Sequence, residues 1–265
     1  MLFVTGCCKR RPARRLDGTR LHRAGCIFLS AGSEKLPDPV TSVYNAGLVS
    51  WSACAVTYRP RIKICGLRNV EDACYAASLG VDALGLVFYP PSPRHVSLEQ
   101  AQAIVAALPP FVSVVALLVN PEREQLETLL ASLSVDVLQF HGDEDEVFCR
   151  SFARPYVKAL AVDGGHDLQA RMQSYPSAQG FLLDTSHPDL RGGTGQCFDW
   201  SLFPRTSSRP LILAGGLRPD NVAQAIHRLK PYAVDVSGGV ESSRGVKSQA
   251  LMRAFVEGVG CVHKD

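Results

Sequence analysis

The sequence predicts a single (β/α)8 TIM barrel, and three observations support this fold class. Its 265 residues are enough for one large domain with a full hydrophobic core. Short apolar runs that do not alternate with polar residues recur eight times, as expected for parallel strands buried on both faces. Between the runs, apolar residues spaced three and four apart predict amphipathic helices.

The composition is that of a globular protein. The chain is 46% hydrophobic and 20% charged, with a mean hydropathy of +0.04, which disfavours a disordered chain, a coiled coil or a membrane bundle. It has no apolar stretch of about 18 residues, so we predict no membrane-spanning helix. The nine cysteines include no C-x-x-C pair, which favours reduced thiols in the cytoplasm over a zinc site. We therefore expect a cytoplasmic protein without a metal.

The basic character of the chain is confined to residues 1–60. These hold 9 Lys and Arg against 3 Asp and Glu, a net +6, whereas the rest holds 19 against 22, a net −3. Pro12 and Gly18 interrupt the arginine cluster and no periodicity persists, which predicts a disordered extension. A transit peptide, a lipoprotein signal and a nucleic-acid-binding arm are the alternatives. Only three residues precede the lipobox-like Val4–Cys7, and the arginines lack interleaved aromatic residues, so we expect neither a membrane nor a nucleic-acid partner.

The eight apolar runs have the spacing of strand-helix units. They begin near Ile62, Ala83, Val112, Val135, Tyr156, Gly180, Leu211 and Ala233. The mean interval, (233 − 62)/7, is about 24 residues, the length of one strand, one helix and two loops. After the second run, one helix face carries Leu98, Ala101, Ile104, Val105 and Leu108, and after the third run another carries Leu126, Leu129, Leu130 and Leu133. The barrel should span residues 61–260, followed by a tail at 261–265.

A short internal repeat favours a closed barrel over an open sheet. The pair Val-Asp stands at the entrance to three apolar runs, at Asp82, Asp136 and Asp235. The aspartates are 54 and 99 residues apart, close to two and four strand-helix units. Repetition at even multiples of one unit suits an eightfold barrel.

Reactive side chains stand where several runs end. In such a barrel the active site lies at the carboxyl ends of the strands, because these ends meet at one mouth. The residues that close the runs are Cys65, Phe88, Asn120, His141, Asp184, Gly215 and Ser237. A thiol, an imidazole and a carboxylate would therefore converge. The alternative for each one singly is a core cysteine, a structural histidine or a helix-capping aspartate.

Two glycine pairs close the seventh and eighth runs and predict a phosphate site. Gly215-Gly216 and Gly238-Gly239, the latter preceded by Ser237, allow backbone N–H groups to approach a phosphate, and a following helix would add its N-terminal partial charge. The alternative is two tight turns. A third cluster, Gly192–Gly195, lies in a long loop after Asp184 that predicts a lid or a binding loop.

Seven motifs in order resemble those of the phosphoribosylanthranilate isomerase family. They are K-I-C-G at 63–66, S-P-R at 92–94, L-Q-F-H-G at 138–142, L-L-D-T at 182–185, G-G-T-G-Q-C-F-D-W at 192–200, A-G-G-L at 214–217 and D-V-S-G-G-V-E at 235–241. The resemblance covers about residues 61–260. It implies a (β/α)8 barrel, monomeric or homodimeric, that catalyses the Amadori rearrangement of N-(5-phosphoribosyl)anthranilate in tryptophan biosynthesis without a metal or a cofactor.

The resemblance also assigns roles to individual residues. Cys65 would be the general base, Asp184 the general acid and Arg94 the partner of the anthranilate carboxylate. Substrate would also meet His141, Gly193, Thr194 and Asp235, and its phosphate would meet Gly215, Gly216, Ser237, Gly238 and Gly239. A base at Cys65 acts as a thiolate, so we expect its pKa to lie below the ordinary value of about 8.5.

Two departures from the family pattern accompany this resemblance. Gly238 stands where the family usually has the second serine of S-S-G-V-E, which removes one hydroxyl donor for phosphate. Residues 1–60 precede the usual start of family chains. Two other functions are possible: another isomerase or synthase on a phosphate-binding barrel, and a barrel that binds a phosphorylated ligand without turnover. The K-I-C-G motif disfavours the first, and the presence of both Cys65 and Asp184 disfavours the second.

Overall fold

The computed structural model describes residues 59–162, 167–185 and 199–261, and its strands form a closed, all-parallel barrel. Each strand is hydrogen-bonded to the next along the chain, and the eighth pairs with the first. The barrel strands β1 to β8 are Arg61–Cys65, Ala83–Val87, Ser113–Leu118, Val137–Phe140, Tyr156–Val162, Gly180–Thr185, Leu211–Leu213 and Ala233–Val236. Every strand begins within two residues of its predicted start, so the predicted fold class is confirmed. The predictions for residues 1–58 and 262–265 fall outside the described residues.

Helices follow most strands and cover the outside of the barrel. Helices α1 to α7 are Val70–Ser78, Leu98–Ala107, Arg123–Ser132, Glu146–Arg150, Leu168–Gln173, Val222–Leu229 and Gln249–Gly260. The hairpin of β9, Glu241–Ser243, and β10, Val246–Lys247, separates β8 from α7. Among the described residues, none of these helices has the length and apolarity needed to cross a membrane.

The two helices predicted from apolar spacing form where expected. Helix α2 begins after Ser97, whose side chain accepts a hydrogen bond from the Gln100 N–H while the Gln100 side chain accepts one from the Ser97 N–H. This capping box satisfies two N–H groups that the helix itself leaves without acceptors. Ala101 and Ile104 of α2 are buried in the core, as are Leu126 and Leu129 of α3. The apolar face of each helix therefore packs on the barrel.

Alternation along the strands divides the core into two parts. On β1, Ile62 and Ile64 pack into the large cluster between the sheet and the helices. Inside the barrel, Ala159, Leu182 and Ala214 form a small separate cluster. Since neighbouring residues on a strand face opposite sides, Lys63 and Cys65 of β1 face the barrel interior. The interior thus contains polar groups as well as this apolar cluster.

The Val-Asp repeat has a structural role at two of its three positions. The carboxylate of Asp82 accepts the Ile62 N–H at 2.8 Å, and that of Asp136 accepts the Val114 N–H at 2.7 Å. Each aspartate precedes its own strand and binds the first part of the preceding one. The interpretation is wrong for Asp235, which is the third residue of β8 and lies opposite Lys63 in the strand register.

We expect Asp136→Ala to lower the free energy of unfolding by about 1 kcal/mol, because the Val114 N–H loses its acceptor. Asp136→Asn keeps an acceptor oxygen and should lose less. Catalytic activity should stay unchanged in both, since Asp136 lies at the amino end of β4. Urea unfolding followed by an activity assay checks this, and equal destabilisation by Ala and Asn would contradict the hydrogen-bond explanation.

Candidate active site

Cys65 ends β1 at the mouth of the barrel, where the predicted site was placed. Its side chain is buried, with only 3% of the residue exposed. The hydroxyl of Ser237, directly after β8, donates a hydrogen bond to the Cys65 carbonyl oxygen at 3.0 Å. Closure of the barrel between β1 and β8 thus brings the predicted base beside the predicted phosphate loop.

A buried ion pair lies next to the Cys65 thiol. The Lys63 ammonium donates a hydrogen bond to Asp235 Oδ1 at 2.8 Å, and both side chains are more than nine-tenths buried. Lys63 stands two residues before Cys65 on the same face of β1, and its positive charge lowers the pKa of the Cys65 thiol. Asp235, predicted to line the mouth, is therefore the partner of Lys63 inside the barrel.

The pKa of the Cys65 thiol lies above its ordinary value in the free protein. Burial raises this pKa most, because the anionic sulfur would lose its hydration. The positive charge of Lys63 lowers the pKa, Asp235 raises it and Lys247 lowers it, but these influences do not cancel the effect of burial. The expectation of a lowered pKa, which rested on the chemistry alone, is wrong for the free protein.

Asp184, the predicted acid, meets His141 across the mouth. Asp184 lies near the end of β6 and is 8% exposed, and its Oδ1 accepts the N–H of Thr185 at 2.7 Å. Its Oδ2 lies 3.5 Å from His141 Nε2. On the other side of the ring, the amide nitrogen of buried Gln139 lies 3.1 Å from His141 Nδ1. An N–H donated to Nδ1 leaves the proton of the neutral ring on Nε2, facing Asp184.

Arg94 is held by an acidic side chain that the sequence did not single out for this role. Its Nε and Nη2 donate to the two carboxylate oxygens of Glu241 at 2.7 and 2.8 Å. Both side chains are largely buried, at 10% and 4% exposed. Within the described part of the chain, Arg94 Nη1 has no hydrogen-bond acceptor. One edge of the guanidinium is thus occupied, and its outer end remains for a carboxylate.

The two predicted glycine clusters pack against each other. A Cβ at Gly239 would lie 1.8 Å from the carbonyl oxygen of Leu217, in the other cluster. Gly215, at a φ of +77°, leaves no room for a Cβ, which would lie 2.9 Å from Asp184 Oδ1. These positions require glycine for close backbone approach, and for Gly215 also for its left-handed conformation.

The loop after β8 presents backbone donors without an α-helix behind it. Gly238 begins a single 3-10 turn, Gly238–Val240, and the hairpin follows directly. In the described residues, the N–H groups of Gly238 and Gly239 have no acceptor. No α-helix follows directly because the chain forms β9, so the predicted N-terminal charge can come only from this three-residue 3-10 turn. Gly216 precedes α6, as predicted, and Gly193 and Thr194 fall outside the described residues.

Sequence reasoning missed four side chains in or beside this site: Lys63, Gln139, Glu241 and Lys247. The first two had a signal. Lys63 precedes Cys65 by two residues and Gln139 precedes His141 by two, so the strand period places each pair on one face. Glu241 stands in the motif at 235–241, but nothing in the sequence indicates its contact with Arg94, 147 residues away. Nothing indicates either that Lys247, six residues after Glu241, is buried against it.

Comparison of the chain with known proteins identifies a family model and individual relatives that match it. The family model described as N-(5'phosphoribosyl)anthranilate (PRA) isomerase matches residues 62–258. A curated relative, N-(5'-phosphoribosyl)anthranilate isomerase of Pseudomonas fluorescens (strain Pf0-1), is 55% identical over 199 residues, 75% of this chain and 98% of the relative.

Solved structures agree with these sequence matches. The crystal structure of phosphoribosyl anthranilate isomerase from Thermotoga maritima has a TM-score of 0.70 and 39% identity, covering 76% of this chain and 99% of that chain. A second solved structure, of phosphoribosyl anthranilate isomerase in complex with reduced 1-(o-carboxyphenylamino)-1-deoxyribulose 5-phosphate, has a TM-score of 0.68 and 38% identity, covering 76% of this chain and 99% of that chain. The chain therefore belongs to the N-(5'-phosphoribosyl)anthranilate isomerase family.

Proposed function

We propose that this protein catalyses the Amadori rearrangement of N-(5-phosphoribosyl)anthranilate to 1-(2-carboxyphenylamino)-1-deoxyribulose 5-phosphate, a step of tryptophan biosynthesis. The observation that carries the proposal is the convergence of Cys65 and Asp184 at one mouth of a barrel that matches this family over residues 62–258. A buried thiol and a buried carboxylic acid are the two groups that the reaction needs.

Asp184 is the general acid in this proposal. Its neutral carboxyl group donates a proton to the furanose ring oxygen, the bond from C1 to that oxygen breaks, and the nitrogen lone pair forms a Schiff base with C1. His141, with its Nε2 proton directed at Asp184, stabilises the carboxylate that remains. Gln139 sets the ring tautomer that makes this possible.

Cys65 is the general base that acts after the ring has opened. The thiolate removes the C2 proton, the C–H electron pair forms the C1–C2 double bond, and the C1–N π pair of the Schiff base returns to nitrogen. The resulting enolamine becomes the ketose when its C2 hydroxyl loses a proton and C1 gains one. Burial opposes thiolate formation in the free protein, but the protonated Schiff base places a positive charge at the site. That charge, together with Lys63, favours the thiolate in the step that uses it.

The substrate is held at its two charged ends. Arg94 offers the outer end of its guanidinium to the anthranilate carboxylate, which suits the planar geometry of that group. The N–H groups of Gly238 and Gly239, which have no acceptor among the described residues, bind the phosphate. Gly215, Gly216 and Ser237 belong to the same two loops and complete this site. On motif resemblance alone, we propose that Gly193 and Thr194 also contact substrate.

The activity is tested by following the loss of phosphoribosylanthranilate fluorescence with the purified chain. The same assay on a chain that begins at residue 59 tests our proposal that residues 61–260 form the catalytic unit. Turnover at equal kcat/KM in both chains supports both proposals. Absence of turnover in the full chain rejects the function, whereas loss only on truncation rejects the domain assignment.

Cys65→Ala and Asp184→Asn should each lower kcat by about a hundredfold or more, with much smaller changes in substrate affinity, because each removes a positioned proton-transfer group. Cys149→Ala and Asp136→Asn are matched controls, since Cys149 is a buried cysteine on α4 and Asp136 an aspartate at the opposite end of the barrel. Near wild-type turnover in either active-site variant would reject its assignment.

The Cys65 thiol should ionise above the ordinary thiol pKa of about 8.5 in the free protein, because burial disfavours the thiolate. Lys63→Met should raise its pKa further by removing the strongest influence that lowers it. The ultraviolet absorbance of thiolate, recorded against pH as wild type minus Cys65→Ala, measures this. A midpoint below the ordinary value would contradict it.

A further inference from the structure

The hairpin that follows β8 packs on the loop that carries Arg94. Gly245, in the turn between β9 and β10, lies so close to that loop that a Cβ there would be 2.6 Å from the Pro93 carbonyl oxygen. The Gly245 N–H donates to Glu241 Oε2 at 3.0 Å, which fixes the carboxylate from the side of the turn. The hairpin is thus shaped around Glu241.

Lys247 holds the other side of the same carboxylate. Its ammonium donates to Glu241 Oε1 at 2.8 Å and to the Ser237 carbonyl oxygen at 2.9 Å. The Lys247 side chain is 1% exposed. A lysine buried to this extent is retained only where its charge is paired, and here Glu241 supplies the pairing.

The contacts join two substrate-binding groups into one network. It runs from Arg94 through Glu241 and Lys247 to the Ser237 carbonyl, at the start of the phosphate loop. Burial alone would raise the pKa of Glu241, but the hydrogen bond from Arg94 and the charge of Lys247 lower it to about 2. Glu241 is therefore a carboxylate throughout the neutral range.

We infer that Glu241, held by Lys247, is a positioning residue that fixes the Arg94 guanidinium relative to the phosphate loop, so that its outer end receives the substrate carboxylate. This inference rests on the proposed function. Glu241 binds the Nε and Nη2 edge of the Arg94 guanidinium, which prevents the guanidinium plane from rotating about the side chain that carries it. Lys247 keeps the carboxylate-binding and phosphate-binding groups at a constant separation, which selects ligands that carry both anionic groups.

The test compares two probes on the full chain. One is reduced 1-(o-carboxyphenylamino)-1-deoxyribulose 5-phosphate, the ligand named in one related structure, and the other is the same compound without its ring carboxylate. Titration calorimetry gives the ratio of their affinities. In Glu241→Gln the ratio should fall about tenfold or more, because a neutral amide cannot bind both Nε and Nη2 as acceptors, while affinity for the second probe stays nearly unchanged.

Glu144→Gln is the matched control. Glu144 is also a buried glutamate that pairs with a buried lysine, Lys158, at 2.7 Å and accepts backbone N–H groups, but it has no contact with Arg94. The Glu144→Gln substitution should lower the melting temperature without changing the ratio of the two probe affinities. Lys247→Met should lower the ratio as Glu241→Gln does, and Lys247→Arg, which keeps the charge, should restore part of it.

Equal loss of affinity for both probes in Glu241→Gln, or an unchanged ratio, would overturn the inference. If Glu241→Gln does not fold, the two Lys247 variants decide by the same criteria. Failure of the proposed function is distinct: wild type would then fail to turn over phosphoribosylanthranilate. One further outcome separates the role of Arg94 from that of its partners. In this outcome wild type binds the probe with the carboxylate more tightly, and Arg94→Lys abolishes this difference in affinity. If the Glu241 and Lys247 variants nevertheless keep the difference, only the positioning role is wrong.

Discussion

Closure of the barrel between β1 and β8 is the constraint on which the site depends. The register pairs Arg61 with Ala233 and continues to Ile64 and Val236, so the first strand and the last end together. Cys65 and Ser237, 172 residues apart in the chain, then meet through a hydrogen bond. Every later strand contributes its carboxyl end to the same mouth because all eight are parallel and hydrogen-bonded in order. Proton-transfer and phosphate-binding groups from distant segments are thereby brought together.

Charge pairing follows from the same closure. Lys63 and Asp235 face each other across the seam, and Arg94 meets Glu241 over a separation of 147 residues. Burying any one of these charges alone would be costly, whereas a paired and hydrogen-bonded charge is tolerated. The pairs also set the electrostatics at Cys65, where burial raises the thiol pKa and the charge of Lys63 opposes it. Stability and reactivity thus depend on the same few contacts.

The sequence predicts the fold well because its signals are local. Continuous apolar runs at regular spacing are enough to place the strands, and the spacing of Leu126 and Leu129 is enough to orient a helix. The third Val-Asp copy gave a wrong position because Asp235 is the third residue of β8, whereas Asp82 and Asp136 each stand one residue before their strands. A repeat of only two residues, Val-Asp, does not determine where in a strand the aspartate lies.

The site was predictable only in part, for physical reasons. The motifs locate Cys65 and Asp184, but the thiol pKa depends on burial, which is a property of the folded barrel. The sequence does not indicate which residue pairs with Arg94, because Glu241 reaches Arg94 only when the hairpin packs on the Pro93 loop. Lys247 likewise has no sequence signal, because lysines are rarely buried and its pairing with Glu241 depends on the folded hairpin.

The most direct test of the two assigned roles is the kinetic isotope effect on kcat with substrate deuterated at C2. If Cys65 removes the C2 proton, Cys65→Ser should show a larger isotope effect than wild type, because proton abstraction then limits turnover. Asp184→Asn should show an effect close to unity, because ring opening, which breaks no C2 bond, then limits turnover. A larger isotope effect in Asp184→Asn than in Cys65→Ser would contradict the assignment of base and acid.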